Sequence, residues 1–440
     1  MANSQVVHSE GIFHGLPTYP DASGYTNLTA VVTGANGITG YAMVKVLAAA
    51  PKRWAKIYCL SRRPPPDYFF SSLGDGAKRV EHVAVDFLSD PNDIAKVLKG
   101  KVDKVDHVFF FSYLQPKQEG KPLSMWSNAD ELAEVNSRLL NNFLTALRKS
   151  SLQPKRFMLQ TGAKNYAFHI GPATNPSFES DPRVNIETNF YYPQEDSLFE
   201  YCRDQNVGWN VVRPSYIIGA AQDSALNHLV GFSIYAAVQA HLKKPMNFPG
   251  DYTAWDREHC QSSAMLNSYM EEWTVLNPDA ANQAFNMTDC QPFTYGRLWP
   301  YLANWYGTSW NPPEPDDSKY KSSVSRYEVT PRGYGPRGVT RFTFNFLDWS
   351  EDPEVVKAWG ELKQKHGLSL DPFASRDVIF GQVNSCVIGG WPLSMSMHKA
   401  RKLGWHGFAN SYESAFHSLQ EMAGMKVIVP MVKSEWTEAL

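Results

Sequence analysis

The sequence predicts an α/β protein: a doubly wound parallel sheet, followed by a smaller, mainly helical C-terminal part. Over the first half of the chain, short apolar runs alternate with helix-like stretches. The runs are almost continuously apolar, as is typical of parallel strands covered by helices on both faces. Beyond about residue 225 this alternation weakens, so we expect helices there that cover the carboxyl edge of the sheet.

The predicted elements follow one another in a regular order. Residues 28–33 are the first strand, and a glycine-rich turn and a helix come after it. Further strands are predicted at residues 56–60, 80–85, 107–111, 156–161 and 209–212, and helices at residues 94–98 and 129–149. Residues 1–26 are expected to form a polar N-terminal extension. Residues 311–337 contain prolines, glycines and charges, which indicates a long surface loop or insertion.

Composition argues against several kinds of partner. The 440 residues include 42 Lys and Arg and 44 Asp and Glu, a balance that gives no reason to expect binding to nucleic acid or to an anionic membrane surface. No apolar run approaches the roughly 18 residues needed to span a membrane, and the N-terminus lacks the pattern of a signal peptide. The five cysteines form no CxxC pair, so we expect no disulfide framework and no metal site. We expect a cytoplasmic protein. A homodimer is one possible assembly. The aromatic content of 13% suits a pocket for an apolar small molecule.

A glycine-rich turn predicts a dinucleotide site. The sequence TGANGITG, residues 33–40, follows the first strand and opens the first helix. Its glycine spacing permits a tight turn, a close approach of backbone to a diphosphate, and close packing of helix on strand. A helix N-terminus also favours a bound anion. We therefore expect a Rossmann-type site formed by Thr33, Gly34, Asn36, Gly37, Ile38 and Gly40.

The second strand distinguishes between the two nicotinamide dinucleotides. An enzyme that uses NAD carries an Asp or Glu about 20 residues after the glycine turn, where it binds the ribose hydroxyls. Here the chain has Ser61, Arg62 and Arg63 instead. Arginine binds phosphate through charged, bidentate contacts, so the sequence predicts NADP(H). The alternative is that these arginines are solvated loop charges.

The ends of the later strands are expected to add contacts to the nucleotide. In a parallel sheet these ends meet at one edge, where ligands bind. The residues expected there are Asp86, Phe87, Ser112, Tyr113, Thr161, Gly162, Pro214, Ser215 and Ile218. Asp86 has an alternative role, because an Asp at a strand end is as often a helix cap. We expect an NADP-binding domain over residues 27–225 and a substrate-binding cap over residues 226–440, with some segments of the cap returning to the sheet.

A tyrosine and a lysine form the usual catalytic pair of short-chain dehydrogenases, which carry them as Tyr-x-x-x-Lys on a helix. The sequence has this spacing at Tyr113 and Lys117, but directly after the fourth strand, and a proline interrupts it. The helix expected in the right place, residues 189–205, contains Tyr191 but no lysine four positions later. Lys164 lies upstream, on the turn after the fifth strand, and both segments are expected at the same edge of the sheet.

These segments resemble those of a known family. The sequences TGAK, at residues 161–164, and NFYYPQED, at residues 189–196, match the patterns TGxK and NFYYxxED. Both patterns are typical of the progesterone 5β-reductase/iridoid synthase-like (PRISE) family of atypical short-chain dehydrogenase/reductases, and the chain is similar to its fungal members. The resemblance continues through residues 212–214, 253–256, 284–289 and 396–408 and covers about residues 28–425.

The resemblance implies a catalytic role for Tyr191, supported by Lys164. Members of the family typically reduce the activated C=C bond of an α,β-unsaturated carbonyl compound in specialised metabolism. Hydride passes from NADPH to the β-carbon, and the tyrosine hydroxyl stabilises the enolate that forms. Without the two motifs, a tyrosine flanked by Phe190 and Phe199 would be read as a core aromatic, and a lysine after a strand as a surface charge.

The substrate end differs from that of the plant members, which continue from TGxK to a short GPFE segment. Here the connection is longer, and Ala173 stands where the plant segment has its phenylalanine. We expect Phe168, His169, Trp255 and Met395 to line a pocket for an apolar carbonyl substrate, with core packing as the alternative for Trp255 and Met395. Two other functions stay open: an isomerase or cyclase that retains its cofactor, and an NADP-binding regulator without turnover.

Overall fold

The structure is a computed structural model that describes residues 6–22, 24–116, 128–222 and 227–438. The strands within these ranges are β1 (Val7–Glu10), β2 (Phe13–Pro17), β3 (Leu28–Thr33), β4 (Trp54–Ser61), β5 (Val80–Ala84), β6 (His107–Phe110), β7 (Arg156–Gln160), β8 (Gly208–Pro214), β9 (Tyr216–Ile218), β10 (Met246–Asn247), β11 (Gln261–Ser263), β12 (Gln283–Met287), β13 (Trp310–Asn311), β14 (Lys321–Val324), β15 (Val339–Phe342) and β16 (Phe408–Ala409). The helices are α1 (Ile38–Ala48), α2 (Asp67–Ser72), α3 (Pro91–Lys101), α4 (Ala129–Ser150), α5 (Tyr191–Gln205), α6 (His228–Leu242), α7 (Tyr252–Asp256), α8 (Ala264–Leu276), α9 (Tyr295–Tyr306), α10 (Phe346–Glu351), α11 (Pro353–His366), α12 (Arg376–Val387), α13 (His398–Lys402) and α14 (Ser411–Gly424).

Seven strands form one sheet in the order β12-β8-β7-β6-β3-β4-β5. Every neighbouring pair in this sheet is parallel. The chain runs from β3 outwards through β4 and β5, and then from β6 outwards through β7 and β8. The direction therefore reverses between β3 and β6, where ligands bind in such sheets. The predicted doubly wound parallel sheet is confirmed.

Helices cover both faces of the sheet. Val32 of β3 belongs to the apolar core that α1, α6 and α8 complete, while its neighbour Val31 belongs to a second core completed by α3, α4 and α5. Because side chains alternate between the two faces of a strand, a strand with a core on each side needs apolar residues at nearly every position. This arrangement explains the continuous apolar runs of the sequence.

The C-terminal half is mainly helical, as predicted, and it also completes the sheet. β12 pairs with β8 and forms one edge of the sheet. Strand β11 pairs with β9, and helix α8 packs beside α1. Helices α6, α9, α10, α11 and α12 pack together around a core rich in tryptophan and tyrosine.

Strands are also present in the two segments expected as an extension and as an insertion. β1 and β2 form an antiparallel hairpin, and β2 pairs with the distant β16. Strand β14 pairs antiparallel with β15. The expected domain boundary between residues 225 and 226, and Lys117 of the rejected Tyr-x-x-x-Lys pair, lie outside the described residues. In the ranges that are described, the helices are all too short or too polar to cross a membrane.

Candidate active site

A cavity of about 1770 Å³ opens at the carboxyl ends of the sheet strands. The predicted site residues that line it are Gly34, Asn36, Gly37, Ile38, Gly40, Ser61, Arg62, Arg63, Asp86, Phe87, Ser112, Tyr113, Thr161, Gly162, Lys164, Phe168, His169, Tyr191, Pro214 and Ser215. Four other predicted residues, Thr33, Ile218, Trp255 and Met395, do not line it. One edge of the sheet thus collects residues that are far apart in the sequence.

The glycine turn approaches the next strand end closely. A β-carbon on Gly34, whose φ is +64°, would lie 3.0 Å from the backbone carbonyl of Phe111. A β-carbon on Gly40 would collide with the carbonyl oxygen of Gly34. Helix α1 begins at Ile38, and the residues of its first turn line the cavity. The unpaired N–H groups of a helix N-terminus favour an anion, so this corner suits a diphosphate.

Two predicted residues support this corner from the core side. The Oγ1 atom of Thr33 accepts hydrogen bonds from the backbone N–H groups of Phe111 and Ser112, at 3.1 and 3.3 Å. Ile218 of β9 is buried in the core beneath the cavity. Both residues shape the wall without forming its surface.

The arginine turn is joined to the glycine turn. The Asn36 side chain donates to the backbone carbonyl of Arg63 at 3.0 Å, and the Ser61 hydroxyl donates to the same carbonyl at 2.8 Å. Arg62 and Arg63 are both exposed at the rim of the cavity. The backbone of the arginine turn is therefore fixed beside the diphosphate corner, where the adenosine ribose of a dinucleotide lies in such folds.

The turn after β5 forms the neighbouring part of the rim. The exposed Asp86 carboxylate accepts a hydrogen bond from the backbone N–H of Leu88 at 2.9 Å, which shapes this turn. The Phe87 ring is buried and lies 5.0 Å from the ring of Phe143. Asp86 thus has a local structural role in addition to its place at the cavity.

The ends of β7 and β8 meet at the centre of the cavity. The Thr161 backbone N–H donates to the carbonyl of Val212 at 2.9 Å. The Thr161 side-chain oxygen is buried and has no hydrogen-bond partner among the described residues. The Ser215 hydroxyl donates to the Cys260 carbonyl at 2.7 Å, which joins this end of the sheet to the C-terminal half. Thr161 therefore offers a buried hydroxyl to a ligand in the cavity.

Tyr191 and Lys164 line the same cavity, although they lie on different segments. A β-carbon on Gly162 would lie only 3.1 Å from the Tyr191 hydroxyl oxygen, so this hydroxyl closely approaches the turn after β7. The Asn189 side chain donates to the Lys164 carbonyl at 2.9 Å and accepts from the Tyr191 backbone N–H at 3.2 Å. The Lys164 ammonium lies 5.2 Å from the centre of the Phe190 ring, which contacts the Tyr191 ring at 4.4 Å.

Burial changes the acidity of both groups. It raises the pKa of the Tyr191 hydroxyl well above its ordinary value, so the group is a neutral phenol at physiological pH. It lowers the pKa of the Lys164 ammonium to about 8, against the opposing influence of the Glu187 carboxylate. A neutral phenol in the same cavity as a buried ammonium can donate a hydrogen bond to an oxygen that gains negative charge.

A polar cluster that the sequence did not reveal, formed by Glu187, His169 and Tyr327, lies near Lys164. Glu187 lines the cavity, and its Oε1 lies 3.3 Å from Nε2 of His169. Its Oε2 accepts a hydrogen bond from the Tyr327 hydroxyl at 2.8 Å. Burial lowers the pKa of His169 to about 4, so this histidine is neutral. Tyr327 belongs to the segment expected as an insertion, and no local pattern links it to Glu187.

The acidic end of the NFYYPQED motif is structural. The buried Glu195 carboxylate pairs with Arg213 of β8 at 2.9 Å and with Arg183 at 3.1 Å. Tyr192 donates its hydroxyl proton to the Asn165 carbonyl at 2.7 Å, which ties the helix to the turn that carries Lys164. These contacts fix α5 against the sheet and so place Tyr191.

Aromatic residues form the wall beyond Tyr191 and Lys164. The Phe168 ring lies 5.6 Å from that of Tyr216, and the Trp391 indole donates to the Phe168 carbonyl at 2.7 Å. Met395 packs behind Phe168 in a small core cluster. Trp255 stacks on Trp310 at 5.7 Å, away from the cavity.

Other residues of this wall were not expected from the sequence. Tyr216, Arg257, His259 and Trp391 all line the cavity. Tyr216 directly follows the predicted residue Ser215. Arg257, His259 and Trp391 belong to the C-terminal half, and its packing onto the sheet brings them there.

Known proteins share this fold and sequence over most of the chain. Residues 30–327 match the family described as a PRISE-like Rossmann-fold domain. The chain is 32% identical over 410 residues to the 3-oxo-Delta(4,5)-steroid 5-beta-reductase of Arabidopsis thaliana. The aligned region covers 91% of this chain and 92% of the relative. It is 30% identical over 400 residues to the short chain dehydrogenase gsfE of Penicillium aethiopicum, over 88% and 95% of the two chains.

A solved structure extends the comparison to the fold. The terminal R domain from the myxalamid PKS-NRPS biosynthetic pathway superimposes with a TM-score of 0.54 at 14% identity, over 92% of this chain and 93% of that domain. This similarity shows a shared fold. From the match to the family and the identity to its relatives, the chain belongs to the PRISE-like family of Rossmann-fold short-chain dehydrogenase/reductases.

Proposed function

We propose that the protein is an NADPH-dependent reductase that acts on the activated C=C bond of an α,β-unsaturated carbonyl compound. The observation that carries the proposal is that Tyr191, a neutral phenol, and Lys164, a buried ammonium, line the same cavity and are linked through the Asn189 side chain. A phenol with a raised pKa is a poor base at neutral pH. It is a suitable hydrogen-bond donor to a carbonyl oxygen that gains charge during the reaction.

The other end of the cavity fits NADP(H). The glycine turn and the first turn of α1 suit the diphosphate, and Arg62 and Arg63 at the rim suit a 2′-phosphate. Thr161 offers its buried hydroxyl near the middle of the cavity. When bound, the reduced nicotinamide supplies a hydride.

The chain's own residues stabilise the charge that forms on the substrate. Addition of hydride at the β-carbon moves an electron pair towards the carbonyl oxygen, which becomes an enolate. The Tyr191 hydroxyl donates a hydrogen bond to this oxygen, and the Lys164 ammonium stabilises its negative charge. Asn189 is a positioning residue, because its side chain bonds to the backbone of both. In a site closed to water, such interactions are stronger than in solution.

Two further observations support the choice of substrate. The name of the Arabidopsis thaliana relative describes a reductase of a 3-oxo-Δ(4,5) steroid, which is a conjugated ketone. The wall beyond Tyr191 is formed by Phe168, Tyr216 and Trp391, which suits an apolar carbon skeleton. We propose that such a compound, a product of specialised metabolism, is reduced by this protein in the cytoplasm.

Replacing Tyr191 by Phe tests the proposal. The variant loses the donor to the enolate oxygen, so we expect turnover of a conjugated enone to fall by about 10²-fold or more. Its affinity for NADPH should stay the same. The replacement of Tyr201 by Phe is the matched control, because it removes a hydroxyl from the same helix at a residue that does not line the cavity. The measurement is the loss of NADPH absorbance, with a deuteride label expected at the product β-carbon.

The same experiment separates the alternatives. Product formation without nucleotide consumption would favour an isomerase or cyclase. NADPH binding without turnover of any enone would favour a regulator. Unchanged enone reduction in the Tyr191 variant would remove this residue from the mechanism.

A further inference from the structure

The cavity continues beyond the catalytic pair to a second polar end. Four aromatic rings follow one another along it, from His169 to Phe168 at 6.2 Å, to Tyr216 at 5.6 Å and to His259 at 5.9 Å. Arg257, which follows α7, lines the cavity beside His259. The glycine turn and the two rim arginines, which form the nucleotide end, contribute none of these side chains, so this second end is available to a substrate.

Arg257 has few partners within the protein. Its Nη2 donates to the Cys386 carbonyl, near the end of α12, at 3.4 Å. Its Nε and Nη1 are buried and have no hydrogen-bond partner in the described part of the chain. No carboxylate in that part lies within the 4.0 Å of an ion pair with Arg257. Asp251, whose negative charge acts to raise the pKa of Arg257, instead accepts a hydrogen bond from the Ala254 backbone N–H at 3.0 Å.

The neighbouring histidine adds a donor and no charge. The Nδ1 of His259 bonds to the Gln261 side-chain amide at 3.1 Å, and its Nε2 is buried without a partner among the residues described. Because Nδ1 accepts from the amide in this arrangement, Nε2 carries the hydrogen. Burial lowers the pKa of His259 well below its ordinary value, so the ring is neutral. The site thus has a guanidinium and an N–H donor, but no anion.

A guanidinium cannot escape burial by losing its proton. A buried charge without a partner is strongly unfavourable, so such groups are normally paired. The carbonyl end of α12 provides only partial compensation, because a helix terminus carries about half a charge and its single contact with Arg257 is long. An anionic ligand group would supply the missing charge, and a carboxylate matches the planar geometry of the guanidinium.

We infer that Arg257 and His259 form a carboxylate subsite, so that the substrate carries a carboxylate at the end distant from its reacting carbonyl group. The inference rests on the proposed function for the identity of the reacting group. The carboxylate accepts hydrogen bonds from the Arg257 guanidinium and from Nε2 of His259. The apolar part of the substrate lies along Phe168 and Tyr216, and its conjugated carbonyl group reaches Tyr191.

A matched pair of substrates tests the inference. An enone with a terminal carboxylate and its methyl ester are compared by kcat/KM in the wild-type protein and in the Arg257→Gln variant. Charge-assisted hydrogen bonds correspond to about 10- to 100-fold in affinity, so we expect the acid to be preferred by that factor. In Arg257→Gln the ratio of acid to ester should fall towards one. Arg297→Gln, on the exposed side of α9, is the control and should keep the wild-type ratio.

A binding measurement makes the test independent of turnover. The saturated keto acid and its methyl ester are titrated by calorimetry into the protein with NADP⁺. Selective binding of the acid, lost in Arg257→Gln, supports the subsite even if no enone is reduced, in which case only the proposed function fails. Equal binding of acid and ester by the wild-type protein would overturn the subsite.

Thermal stability distinguishes a ligand-binding arginine from a structural one. If the Arg257 charge is compensated only by a bound ligand, the Tm of Arg257→Gln without ligand should equal or exceed that of the wild-type protein. The keto acid should then raise the Tm of the wild-type protein only. If the contact with α12 is the main role of Arg257, the Tm of the variant should fall by several degrees without ligand and acid selectivity should be absent. That second result contradicts the inference.

Discussion

At the scale of single residues, burial acts in opposite ways on the two central groups. It keeps Tyr191 protonated and neutral, while it weakens the hold of Lys164 on its proton. Because the pKa of Lys164 is about 8, its ammonium form is present at lower pH and is lost as the pH rises through that value. The charge that we propose to stabilise the enolate is therefore sensitive to pH near neutrality.

We expect kcat/KM for an enone to fall as the pH rises through about 8, because Lys164 then loses its charge. Replacing Glu187 by Gln removes a carboxylate that favours the ammonium, so the fall should move to lower pH. Replacing Tyr327 by Phe removes one hydrogen bond but keeps the carboxylate, so it should move the profile less. The pH profiles of the three proteins provide the measurement. A profile that is flat to pH 10 would contradict the role of the Lys164 charge.

The two rim arginines can be tested by nucleotide preference. Replacing Arg62 and Arg63 by Ala removes charged partners of a 2′-phosphate, so we expect the KM for NADPH to rise by about 10- to 100-fold. The KM for NADH, which lacks that phosphate, should change by no more than about 3-fold. Lys52→Ala, a charge loss on the surface away from the cavity, is the control. Equal weakening of the two nucleotides would contradict the role in binding the 2′-phosphate, and an unchanged KM for both would show that these arginines are only solvated charges.

At the scale of elements, α5 carries Tyr191, and its position depends on a buried ion pair. Glu195 on this helix contacts Arg213 on β8, and both side chains are less than 10% exposed. The next residue, Asp196, contacts Arg183, but its side chain is 62% exposed. Two adjacent acids of one motif thus have different environments and are expected to differ in their effect on stability.

Replacing Glu195 by Gln leaves Arg213 with a buried, unpaired charge. We expect the free energy of unfolding to fall by about 3–5 kcal/mol, as for other buried pairs that lose one partner. The replacement of Asp196 by Asn should cost less than about 1 kcal/mol, because a solvent-exposed ion pair contributes little. Denaturant unfolding measures both values. Similar losses in the two variants would mean that the Glu195 pair is not the anchor of α5.

At the scale of the whole molecule, the nucleotide half depends on the C-terminal half. β12 forms one edge of the sheet beside β8, and α8 covers the same face as α1. A chain that ends before these elements would expose an edge strand and an apolar sheet face. The two halves are therefore expected to fold as a unit.

A fragment of residues 1–222 tests this dependence. We expect it to lack a cooperative thermal transition and to aggregate, because β8 and the covered face of α1 lose their partners. The full chain is the control, and differential scanning calorimetry with light scattering gives the measurement. A soluble fragment with a sharp transition would show that the sheet is stable without β12 and α8.

Local sequence determined the features that depend on neighbouring residues. The apolar runs predicted the strands, because a strand with a core on both sides needs apolar residues throughout. The glycine spacing predicted the turn at Gly34, because a positive φ and a close backbone approach favour glycine at that position. The TGxK and NFYYxxED motifs identified the family that the comparisons confirm.

Only the tertiary structure showed which distant side chains meet. Glu187, His169 and Tyr327 form one cluster, although Glu187 and Tyr327 are 140 residues apart in the sequence. Arg257 reaches the cavity because the C-terminal half packs onto the sheet, while Trp255, two positions earlier, packs away from it. Burial and charge arise from three-dimensional neighbours and leave no periodic pattern in the sequence. The acidity of Tyr191 and Lys164 was therefore decided by the fold.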